Sequence, residues 1–203
     1  VDVVLSLLAM QEPSLRALGG QLVPALPGGL ATTAKLCTSI QTLPAEGRTV
    51  LIPALAARGD RSATAPLQLL FAAASPQRAA VIRAVGQLGN AASVAALLPL
   101  AIAKGGEAGL AQAALARLPD PKADTALIDV LKGKADPPAK HVAASALAAR
   151  GCTAAIPALA GTIASRADSK LSRACWTALR DLTPGPQLAL LLDLLPGTTD
   201  RGE

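Results

Sequence analysis

The chain has one histidine, His141, and three cysteines, at positions 37, 152 and 175. Any Ser–His–Asp constellation would have to run through His141, and a single imidazole cannot build a His-based metal cluster. The cysteines are too widely spaced for a disulfide framework or a zinc site. Cys175 shares a column with Leu51, Val81, Ala111 and Ala143, and Cys37 stands in a Leu column, so both read as small buried hydrophobes. Cys152 follows Gly151, a helix-ending glycine, and is expected to be the most reachable thiol. The carboxylates are scattered singly. Asp120 and Asp124 are one helical turn apart, but Pro121 and Lys122 between them mark a helix entrance, where capping is the expected job. The Gly-Gly pairs at 19–20, 28–29 and 105–106 follow no strand and match no phosphate loop. With one Phe, one Trp and no Tyr, stacking platforms and aromatic cages have nothing to be built from. Trp176 shares its column with Ile52, Ile82, Gln112 and Ala144 and reads as packing. No catalytic residue, cofactor or metal site is expected.

The basic residues carry more information. Nineteen Lys and Arg against fourteen Asp and Glu give a net charge of +5 on a chain that is only 16% charged. Spread along the whole length, they make a poor phosphate track, so nucleic acid is disfavoured as a partner. What positions them is helix. The chain holds 46 Ala and 35 Leu among 203 residues, and both types lead the helix-propensity ranking. The longest near-apolar run, Ala91 to Ala103, is shorter than the roughly 18 to 20 residues of a membrane span.

An internal period organises the helices. Leu55, Val85, Leu115, Leu147 and Leu179 recur at spacings of 30, 30, 32 and 32. Twelve residues after each stands Leu67, Leu97, Leu127, Leu159 and Leu191, and three further on Leu70, Leu100, Val130, Thr162 and Leu194. The pattern predicts units at 31–60, 61–90, 91–120, 121–152 and 153–184, each with an A helix and a B helix. A degenerate first pair covers 1–30 and a terminal half unit covers 185–197. A helices are expected at 31–43, 63–75, 91–104, 122–134, 153–165 and 187–195. B helices are expected at 46–58, 76–88, 107–118, 137–150 and 170–182. Gly59, Gly89 and Gly151 stand where helices should stop in the left-handed conformation. Asp136 and Asp168 are placed to cap B helices, and Pro76 and Pro137 fall near helix starts. Pairs of this kind bury their apolar faces only by stacking on neighbours. The apolar ends, Val1–Met10 and Leu188–Leu195, are expected to continue into a longer protein or to pack end to end.

The segment Gln77–Gly89, QRAAVIRAVGQLG, resembles the HEAT-like repeat of phycobilisome lyases, V-R-x-x-A-x-x-A-L-G-x-I-G. The family's Arg falls on Arg78, Arg48 and Lys140; Ala108 and Ser172 interrupt the series. Its preceding Asp matches Asp136 and Asp168. The resemblance covers about 31 to 195 and implies an all-α, right-handed α-solenoid of about six and a half helix pairs, with B helices lining the concave side. It also implies a scaffolding or protein-interaction role, often as a segment of a larger bacterial multidomain protein, and leans towards an extracytoplasmic site.

On that geometry the exposed B-helix positions include Thr49, Arg83, Gln87, Arg117, His141, Arg173, Thr177 and Asp181. Arg83, Arg117, His141 and Arg173 are the candidate partner-binding residues, suited to an acidic protein or peptide through charge-assisted hydrogen bonds. Flanking domains of the same polypeptide are the other candidate partners. The alternative is a solenoid module of an enzyme, lyase-type or DNA-glycosylase-type, with its chemistry in the groove. Arg58 and Arg150 replace the Leu of other units and are expected to bond helix-end carbonyls while laying their stems on the core.

Overall fold

The computed structural model describes residues 1–71, 76–165 and 168–183. Among these the chain forms twelve α-helices and no strand: α1 (Asp2–Ala9), α2 (Pro13–Leu22), α3 (Gly29–Ser39), α4 (Ala45–Arg58), α5 (Thr64–Gln68), α6 (Arg78–Leu88), α7 (Ala91–Ile102), α8 (Ala108–Arg117), α9 (Lys122–Lys132), α10 (Pro137–Ala149), α11 (Ile156–Ala164) and α12 (Ser169–Leu182). The fold class is all-α. The expected half unit at 185–197, with Leu191 and Leu194, lies outside the described residues.

The helices pack in two files. In one, α2, α4, α6, α8, α10 and α12 each touch the next, and in the other α3, α5, α7, α9 and α11 do the same. Rungs join the files, with α5 on α6, α7 on α8, α9 on α10 and α11 on α12. The core lies between them. Leu55, Val85, Leu115, Leu147 and Leu179 are fully buried, as are Leu67, Leu97, Leu127 and Leu159. The third column behaves differently: Leu70, Leu100, Val130 and Thr162 are only half-buried and rim the core.

Successive even-numbered helices approach closely enough to need glycine. A Cβ on Gly86 of α6 would sit 2.9 Å from both Cα and Cβ of Ala114 in α8, where backbone cannot yield. Helix ends follow the expected chemistry with three differences. Gly59 and Gly151 turn left-handed at φ 75° and 65°, but Gly89 is extended at φ −66°. Its glycine is demanded by space instead, since a Cβ there would meet Val85 O at 2.5 Å and Leu118 Cδ2 at 2.6 Å. Asp168 caps α12 by accepting from Leu171 N at 2.8 Å. Asp136 starts α10 without a side-chain cap: Pro138 removes the N2 donor, and Asp136 does not take the N3 amide of Ala139, the kind of donor that Asp168 uses on α12. The expected long helix at 63–75 is the third difference. Its described part is a five-residue α5 between 3₁₀ turns at Arg61–Ala63 and Leu69–Phe71. Pro66 cannot donate to residue 62 and crowds its carbonyl, so the entry winds as 3₁₀.

Val3, Met10, Leu15, Leu18, Leu22 and Leu30 are exposed at the first pair, matching the apolar character seen in the sequence.

Truncating either of two fully buried seam residues, Leu127→Ala or Leu159→Ala, is expected to lower stability by about 2–5 kcal/mol. Urea melts measure this, and an unchanged midpoint for both would place the seam elsewhere.

Candidate interaction face

The even-numbered helices each bury one face on both neighbours and on the odd file, leaving a single outward face. Three rows one turn apart define it. The first holds Thr49, Ala79, Gly109, His141 and Arg173, the second Pro53, Arg83, Ala113, Ser145 and Thr177, the third Ala57, Gln87, Arg117, Ala149 and Asp181. All are exposed except Ala79, which is half-buried. Arg83, Arg117, His141 and Arg173 thus share one face but not one point. His141 and Arg173 stand in the same row on adjacent helices; Arg83 and Arg117 lie in the second and third rows on α6 and α8. A shallow cavity of about 310 Å³ between α10 and α12 is edged by His141, Ser145, Thr177 and Asp181. Asp181 is engaged by its neighbour Arg180, Nη2 to Oδ1 at 3.0 Å.

The four candidate side chains make no hydrogen bond or ion pair with any described residue. Two other arginines are spent internally and repeat one construction. Arg58, at the end of α4, donates from Nη1 to the carbonyls of Val23 (3.0 Å) and Leu26 (2.6 Å), and from Nε to Thr33 Oγ1 (3.1 Å). Arg150, just past α10, donates from Nη1 to Leu115 O (3.3 Å) and Leu118 O (2.7 Å), from Nη2 to Asp120 O (3.2 Å), and pairs through Nε with Asp124. In both cases the accepting carbonyls lie 35 and 32 residues back. The expectation of helix-end carbonyls holds, but they belong to the preceding even-numbered helix or the turn after it. Each arginine is a clamp between neighbours.

A series of Asp and Asn caps accompanies the clamps. Asp60, Asn90 and Asp120 each accept from the backbone N–H two residues on, Ser62, Ala92 and Lys122, at 3.0 Å. The second oxygen of Asp60 accepts from Thr33 Oγ1 at 2.5 Å, and that of Asp120 from Ala91 N at 3.0 Å. Asp120 therefore caps, as expected, while Asp124 is an ion-pair partner. Sequence reasoning missed the series, though its spacing of 30 was present as a signal. The Thr33 hydroxyl, ahead of the Ser62 amide, holds the Asp60 carboxyl below its ordinary value. The amides of Lys122 and Ala91 do the same for Asp120.

Cys152 occupies the next position of this series and is buried, not the reachable thiol expected. Cys37 and Cys175 are buried as expected, and burial pushes both thiols up to about 11, away from the nucleophilic thiolate. Trp176 is half-buried against the core. Among the described residues no group of three His, Cys, Asp or Glu is gathered to hold a metal ion. No described helix is long and apolar enough to cross a membrane.

Among known proteins, no family model matches the chain and no curated protein shows significant sequence similarity to it.

Arg150→Met is expected to lower stability by about 1.5–3 kcal/mol, the range for hydrogen bonds to a charged group, while Arg83→Met stays within about 0.5 kcal/mol of the parent. Equal denaturation midpoints for the two variants would remove the clamp. Acid provides a second check. The folded-state values of Asp60 and Asp120 lie below the unfolded 3.8. Their contribution is therefore full above about pH 4 and is lost as pH falls through the folded values. The double variant Asp60→Asn, Asp120→Asn is expected to lose less urea resistance than the parent between about pH 5 and pH 2.5. Parallel curves would show that these carboxylates are not held.

Proposed function

We propose that the chain is a non-enzymatic interaction scaffold, a HEAT-like right-handed α-solenoid of about six and a half pairs. Its even-numbered helices line the concave side and receive an acidic protein or peptide. The helix-on-next-helix packing of both files supports the solenoid reading, as does the recurrence of one arginine clamp with the same residue offsets in two separate places. Repeat architectures behave this way: each unit contacts its neighbours and the outward face becomes a continuous surface.

One observation carries the choice of ligand. Arg58 and Arg150 are consumed by carbonyls and carboxylates, whereas Arg83, Arg117 and Arg173 on the outward face have no acceptor among the described residues. Small neighbours such as Ala113, Ser145 and Ala149 leave the backbone of a bound peptide free to approach them. Free guanidinium groups on an uncrowded surface are suited to carboxylates, which they bind in a bidentate fork.

The test is fluorescence anisotropy with a labelled Asp/Glu-rich peptide at low salt. Three exposed ion pairs at about 0.5 kcal/mol each predict roughly tenfold weaker binding by the Arg83→Ala, Arg117→Ala, Arg173→Ala variant. Binding of the parent should also fall as salt shortens the screening length. Identical affinities for parent and variant would sink the acidic-ligand reading.

A further inference from the structure

A second site lies away from the outward face and does not depend on the reading above. The short α5 leaves a groove of about 690 Å³ against α3, walled by Ala34, Cys37, Pro66 and Leu69. Leu69, on the 3₁₀ turn after α5, is 78% exposed. At one end the groove meets a cavity of about 290 Å³, the two sharing Ile40, Gln41 and Leu70. Ile52 and Val81 floor this cavity, and Arg48 and Arg78 stand in its wall.

Those two arginines are in an electrostatically unfavourable place. Arg78 is the first residue of α6 and Arg48 the fourth of α4. Both therefore sit at the positive end of a helix dipole, where a carboxylate is favoured and a cation is not. Arg48 is held by Nε donating to Leu43 O at 2.8 Å. Arg78 Nε is buried without a hydrogen bond, 3.1 Å from Glu107. The terminal nitrogens of both have no hydrogen-bond acceptor among the described residues. Glu107 pairs with Arg78 and Glu46 lies in the first turn of α4, but no carboxylate lines the cavity, whose charged lining is the two guanidinium groups.

We propose that the cavity and groove together bind a long-chain carboxylate, its head between Arg48 and Arg78 and its hydrocarbon tail along α3 and α5. The bidentate match of guanidinium to carboxylate sets the head. The apolar length of the groove selects a chain over a bare anion, and the combined space is that of an ordinary small-molecule site. Thiol chemistry plays no part, since Cys37 is protonated with its value raised to about 11 and serves as an apolar wall.

Isothermal titration of the full chain with decanoate, below its micelle concentration, tests this. One equivalent should bind, with decyltrimethylammonium and inorganic phosphate each at least about tenfold weaker. Arg78→Gln and Arg48→Gln should each weaken decanoate by about tenfold. Because Arg48 also holds Leu43, melts accompany both variants. Ala34→Trp, from an exposed position, should fill the groove and weaken decanoate without altering charge. Equal binding of decanoate and decyltrimethylammonium, binding of phosphate as tight as decanoate, or no binding at all would overturn the proposal. So would tighter binding of a short peptide ending in Leu-Leu, which would reassign the site to a chain terminus.

Discussion

Everything in this chain depends on how closely successive even-numbered helices approach. At Gly86 and Ala114 the separation leaves no space for one methyl group. Contact at backbone distance explains the heavy use of Ala, and it makes each helix a wall for the next. Large side chains are then confined to the seams between the two files, where Leu55, Leu67 and their counterparts are fully buried. Aromatic side chains are nearly absent, with one Phe, one Trp and no Tyr. Phe71 and Trp176 both sit at the margin of the core and not at its centre.

The same close stacking leaves carbonyl groups at the helix ends without partners along one edge. Arg58 and Arg150 answer them from the neighbouring unit, and Asp60, Asn90 and Asp120 answer the amides at the opposite polarity. The hydrogen bonds of these residues show that they are committed to holding units in register. Among the groups left uncommitted are three arginines and a histidine on the outward face, and the terminal nitrogens of two arginines at helix starts beside the α3–α5 groove.

Much of the helix layout was legible because one column residue per helix is decisive. The recurrence of Leu55 through Leu179 placed the described A and B helices, mostly to within two residues at each end. The exceptions have local causes that a period cannot carry. Pro66 shortened α5, and α10 starts without a side-chain cap from Asp136. Gly89 was assigned to the right place for the wrong reason, because crowding by Leu118 is a contact made about thirty residues away along the chain. The exposure of Arg83, Arg117, His141 and Arg173 was expected on the geometry that the HEAT-like resemblance implies, and all four are exposed. The burial of Cys152 was not expected, although its position continues the Asp60, Asn90, Asp120 series that the spacing already carried. The paired cavity at Arg48 and Arg78 was likewise hidden, because those residues are thirty apart and meet only through stacking.

The clamps are unevenly distributed along the stack. Arg58 ties the first two pairs, Gln68 to Ser93 and Arg78 to Glu107 tie the third and fourth, and Arg150 ties the fourth and fifth. Between α9–α10 and α11–α12, beyond the connecting turn at Cys152, no described hydrogen bond or ion pair crosses. That junction is held by dispersion and exclusion of water, forces that have magnitude but little preferred direction. Twisting of α12 against α10 is therefore opposed by side-chain packing, whereas at the clamped junctions it also strains directional hydrogen bonds. Leu182 stands where Arg58 and Arg150 stand, as do Leu88 and Leu118, and it brings no clamp.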